Sequence, residues 1–209
     1  LMYHAPTEFH TCSLPDSLPI FAYFFTQKFI PYACSLDLFS VLFGGVVAIL
    51  PIFAEDILKV GAQGLGILRA APAVGAMLTV IYCAYNPPLT RAWRNLLLAV
   101  LGFGIATLVF AVSKNFWLSA LALFLTGACD SISVVIRQTL MQVMPPDHLR
   151  GRVVAVNSIF ISSSNELGAF ESGSAAKLMG TVPSVIFGAA VTIAVVGRMW
   201  QKSKELFAL

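Results

Sequence analysis

The chain has 209 residues, 58% hydrophobic and 11% charged, with a formal net charge of +3. An ordinary soluble domain is about 45–50% apolar and about 25% charged, so this chain is short of the charged residues that cover a water-facing surface. The composition argues against a soluble enzyme, a disordered linker and a nucleic-acid-binding domain, and makes the membrane the solvent.

The first 34 residues are assigned no fold and read as a junction or a non-native segment. Their opening stretch, LMYHAPTEFHTCSLPDSLPI, has no helical apolar period, no positive n-region and no small-residue cleavage site, so it is not a signal peptide. A start at Leu1 rather than methionine suggests a fragment. Six apolar segments follow between residues 35 and 202, and residues 203–209 form a tail.

The first segment runs from Leu36 to Ile57, with Asp37 near its start and Pro51 near its end. The second covers Leu65 to Tyr85 and stops at Asn86-Pro87-Pro88, and the third, Leu96 to Val112, is almost uninterrupted. After the turn Ser113-Lys114-Asn115 the fourth extends from Phe116 to Met144, where Pro145-Pro146 ends it, because proline lacks a backbone donor and disfavours helix in the residue before it. The fifth, Val153 to Met179, is interrupted by the polar run SSSNELGAFESGS; the sixth, Val182 to Trp200, leads into RMWQKSK.

Each segment has the ~20 residues a helix needs to cross a ~30 Å hydrocarbon core. Strands would leave backbone groups unsatisfied in lipid unless closed into a barrel, and these runs lack barrel alternation. The expected fold is all-α, a polytopic bundle of six transmembrane helices whose short connections make sequential helices antiparallel neighbours.

Loop charges set the orientation. With the first helix starting inside, the cytoplasmic side holds Lys28, Arg91, Arg94, Arg150, Arg152, Arg198, Lys202 and Lys204, and the outside holds Lys59, Lys114 and Lys177. Eight against three places both ends in the cytoplasm. The four cysteines, Cys12, Cys34, Cys83 and Cys129, have no metal-ligand spacing, and in apolar runs a cysteine is usually a small core residue. Trp93, Trp117 and Trp200 fall near the expected interfaces, where aromatic belts form.

Ionisable residues within the spans carry the functional information, since each needs a partner, a water-filled cavity or a role. On the fourth helix Asp130, Ser133 and Arg137 share one side, as a polar stripe along an aqueous path or as structural contacts to a neighbouring helix. Asp130 and Arg137 stand about 10 Å apart along the axis, long for a direct ion pair. The fifth helix carries two polar stripes, Asn157-Ser164-Gly168-Glu171 and Ser162-Asn165-Glu166-Gly173. Glu166 and Glu171 read best as pathway groups able to take and release a proton, with Asn165 beside them, whereas the serines and glycines suit close helix packing. Asp37 reads equally as a cap or a functional acid. Arg69 reads as an end-of-helix residue reaching the headgroups; Gly44-Gly45, Gly102, Gly104 and Pro51 read as packing and kink positions. No catalytic or nucleotide-binding motif is present, so no enzyme and no cofactor is expected.

Three stretches, SLDLFSVLFGGVVAILPIFAEDIL, PPDHLRGRVVAVNSIF and SSSNELGAFESGSAAKLMG, resemble the C-terminal half of a major facilitator superfamily transporter. The likeness is strongest to the bacterial branch of siderophore exporters and macrolide-type efflux proteins, and NSIFISSSNELGAFESG is its most specific part. It implies two six-helix halves rocking about a central cavity, proton-driven efflux of a small molecule, and residence in the bacterial inner membrane. The absent N-terminal half then becomes the chain's principal partner, alongside substrate, protons and lipid. The loop NPPLTRAWRN occupies the place of the family's basic loop, with Arg91 and Arg94 at its basic positions, but Asn86, Thr90 and Trp93 replace its glycines and acid. A stand-alone six-helix membrane assembly module is the alternative reading.

Overall fold

The computed structural model describes Tyr32, Ala33, Ser35, Leu36, Leu38 and residues 46–202, and contains no strand among them. The readings at Cys12, Lys28, Cys34, Asp37, Gly44, Gly45 and Lys204 lie outside the described residues. Six helices are described in the continuous part: α1 (Val46–Ile52), α2 (Gly61–Tyr85), α3 (Ala92–Val112), α4 (Phe116–Val143), α5 (Asp147–Met179) and α6 (Thr181–Lys202).

Four of them, α2, α3, α4 and α6, are long and apolar enough to cross a membrane. This is fewer than the six expected. Helix α5 has the length, 33 residues, but its serines, asparagines and glutamates dilute the apolar run. The described part of α1 is only 7 residues long.

The connections follow from local chemistry. Pro51 removes a donor from α1, and the helix widens into a π turn over Phe53–Ile57, closed by the Leu58 amide donating to the Phe53 carbonyl at 3.1 Å. Lys59 and Gly61 then take positive φ, 52° and 65°, to reverse the chain. Between α2 and α3 the Asn95 side-chain amide donates to the carbonyls of Pro88 and Thr90, at 2.9 and 3.0 Å, and pins the loop while Arg91 adopts φ 64°. Asn115 caps α4 by accepting the Trp117 amide at 3.0 Å, satisfying a donor that a helix start leaves open.

Packing does not follow chain order. Helix α2 packs mainly on α4 and hardly touches α3, although a short loop joins them; α3 lies between α4 and α6, and α5 packs on α6 and α1. The α2–α4 seam explains this departure from sequential neighbours. A Cβ added at Gly75 would overlap the Phe124 carbonyl, and one at Gly127 would overlap the Pro72 carbonyl, so the two backbones meet where glycine alone fits. Gly104 makes a looser contact between α3 and α6: a Cβ there would lie 2.9 Å from the side-chain Cγ1 of Ile193.

Two apolar clusters hold the bundle at its ends. Trp93, Leu96, Leu97, Ile136, Met141 and Val196 form one. The other gathers Leu50, Phe53, Leu68, Phe110, Leu123 and Val185, with the rings of Phe53 and Phe110 4.5 Å apart. Trp93 is therefore a core residue at 0% exposure, edge-on to Tyr32, and not the interface residue its loop-end position suggests. Trp117 does stand out, 73% exposed. Between the two clusters α4 and α6 bury small polar side chains, Thr126, Ser131, Ser133 and Thr192.

Candidate functional site

Helix α5 divides into three faces. Val153, Asn157, Ser164, Gly168 and Ser172 form the seam buried against the bundle, with Glu171 half-buried at its edge. Ser158, Ser162, Asn165, Glu166 and Gly173 form a second, exposed face that is polar or small throughout. Ile159, Phe160, Leu167, Phe170 and Leu178 form a third, exposed and apolar.

Each face has its own physical consequence. The apolar one suits acyl chains. In the buried seam, small residues let α5 approach its neighbours, and the Ser164 hydroxyl is satisfied inside its own helix by donating to the Phe160 carbonyl at 2.7 Å. The polar exposed face fits neither lipid nor a packed core, because uncompensated polar groups in hydrocarbon cost several kcal/mol each. Among the described residues Glu166 enters no ion pair.

Helix α4 has a break in its buried side. Leu123, Arg137 and Met141 lie at heptad-like offsets from Asp130 on one helical face, and all three are buried, Arg137 at 1% exposure. Asp130 shares that face but is exposed. The stripe Asp130-Ser133-Arg137 is thus split: Ser133 and Arg137 are buried inside the bundle, whereas Asp130 is exposed.

Depth relates the two acids. Asp130 lies about 21 Å from the Phe116 end of α4 and Glu166 about 20 Å from the Met179 end of α5, at the helical rise of 1.5 Å per residue. Those ends belong to the same side of the bundle, and α4 and α5 are in contact. Both carboxylates therefore sit near mid-depth. Glu171 lies about 12 Å from the same side, as does Arg69, exposed on α2. Arg91, Arg94, Arg150 and Arg152 are exposed at the opposite end.

Sequence reasoning overlooked Ser158 on the polar face, and Gly75 and Gly127, which fix the α2–α4 seam. The last two carried a readable signal: Ala71-x-x-x-Gly75 and Gly127-x-x-x-Ser131 are small-residue pairs one turn apart.

Comparison with known proteins adds one decisive match. The model of a major-facilitator-type family described as transmembrane secretion effector matches residues 34–205, well over half of the chain. The chain belongs to that family. Among curated proteins and solved structures, nothing matches. For a transmembrane secretion effector of this type the membrane-crossing helices and a transport role follow directly, and the family points to a transporter rather than an enzyme. The match favours transport over a stand-alone assembly module.

Proposed function

We propose that the chain is the C-terminal six-span half of a major facilitator exporter, and that the polar face of α5 lines its substrate path. The observation that carries this reading is the row Ser158, Ser162, Asn165 and Glu166, exposed at the middle of a helix about 50 Å long. Transporters of this architecture place substrate and coupling ions near the bilayer midplane, where Asp130 and Glu166 lie. In this reading α5 spans despite its polarity, because one side faces water rather than lipid. The described part of α1 is the outer end of the first span.

A missing N-terminal half supplies the opposite wall of the cavity, and the pair alternates between inward- and outward-open states. A carboxylate at mid-depth is costly to keep ionised unless hydrated, which suits Glu166 and Asp130 to carry the coupling proton. Glu171 and Asn165 flank that route. Arg91, Arg94, Arg150 and Arg152 mark the cytoplasmic side of a bacterial inner membrane, with both ends of the unit on that side. The cargo is a small molecule of the kind exported by the siderophore and macrolide branch.

Transport by the complete protein in proteoliposomes under an imposed proton gradient tests this. Glu166→Gln is expected to lower gradient-driven efflux at least tenfold with insertion and expression unchanged, and Asp130→Asn to lower it severalfold. Full efflux in both variants at equal protein would make these acids structural.

A further inference from the structure

The end of α6 carries a feature that the transport path does not use. Ala194, Gly197, Arg198, Gln201 and Lys202 line a cavity of about 640 Å³. These positions recur at three- and four-residue offsets, so they share one face of the helix. That face is opposite the seam of Ser184, Gly188, Thr192 and Val196 by which α6 packs into the bundle. The cavity thus opens away from the bundle interior, to the medium around the protein.

Its chemistry is specific. Arg198 and Lys202 are exposed, one turn apart, and neither enters an ion pair among the described residues. Gln201 adds an amide donor on the far side of Arg198 from Lys202. Gly197 makes the floor, with nothing within 4 Å of the position a Cβ would take, and Ala194 continues it one turn deeper. Trp200, on the other side of the helix at the same level, stands 38% exposed, as aromatic residues do at the level of lipid headgroups. The basic end of the bundle, with Arg91, Arg94, Arg150 and Arg152, surrounds this level.

We infer that this cavity is a binding site for the phosphate of an anionic phospholipid headgroup, held between Arg198 and Lys202 over the Gly197 floor. It rests on the membrane-spanning reading of α6 and is independent of what the protein transports. Two cations one turn apart reach a single phosphodiester, and the small residues beneath them leave room for the glycerol and upper acyl carbons. A phosphate-bearing lipid fits because the site faces outward at the end of a span, where headgroups are concentrated.

Native mass spectrometry of the full chain, released from nanodiscs of phosphatidylglycerol and phosphatidylcholine, tests the site. Wild-type protein is expected to retain phosphatidylglycerol preferentially. Arg198→Gln and Lys202→Gln are each expected to weaken that retention about fivefold, the effect of one cation near a charged headgroup. Gly197→Leu, which keeps every charge and fills the floor, is expected to weaken it as much; Ala194→Leu is the second filling variant if Gly197→Leu does not fold by circular dichroism. Equal retention of the two lipids would overturn the proposal. So would unchanged retention in the filling variants, which would mean diffuse surface attraction, or displacement of the lipid by millimolar inorganic phosphate, which would make soluble phosphate the ligand.

Discussion

Helices α3 and α5 cross the same bundle with opposite patterns. Helix α3 buries its largest side chains, Trp93, Leu96, Leu97 and Phe110, and ties both apolar clusters together. Helix α5 buries Asn157, Ser164, Gly168 and Ser172 and turns Ile159, Phe160, Leu167 and Phe170 outward. In water the second pattern would be a misfolded helix. In the proposed reading it is a helix with three environments, lipid, protein and a polar space, and only the last requires a function. The contrast separates scaffold from working element within one chain.

Truncating large side chains breaks the comparison most directly. Phe110→Ala on α3 removes a fully buried ring packed at a tilt against Phe53 and is expected to cost about 3–5 kcal/mol. The same change at Phe170 on α5, which is 76% exposed, is expected to stay within about 0.5 kcal/mol. Reversible unfolding in mixed micelles reads both, and equal losses would erase the distinction between the helices.

A smaller effect is expected at the seam that holds α2 to the scaffold. Gly127→Ala forces a methyl into the Pro72 backbone and should cost about 1–3 kcal/mol, with Gly75→Ala similar. Smallest is Ser164→Ala in the α5 seam. Its hydroxyl bonds only within its own helix, so the loss should be about 1 kcal/mol or less in the same unfolding assay.

These residues also show what the sequence made legible. The apolar runs predict α2, α3, α4 and α6 to within a few residues, because length and hydropathy are local properties. The polar stripes of α5 were readable from helical periodicity, down to the side holding Asn157, Ser164 and Gly168. Which partner each stripe faces was not readable. Trp93 illustrates why: its place at a helix start suggests the interface, but the packing of α3 between α4 and α6 encloses it. The exposure of Asp130 amid buried neighbours likewise depends on where other helices leave a gap. Pairing of α2 with α4 is a long-range choice, marked in the sequence only by single glycines.

The central claim is that one face of α5 meets water at mid-membrane. Single cysteines at Ser162, Asn165, Leu167 and Phe170, introduced after all four native cysteines are replaced, test it in the lipid-reconstituted protein. Modification by a membrane-impermeant thiol reagent should be at least tenfold faster at 162 and 165 than at 167 and 170. Equal protection at all four positions would contradict the account.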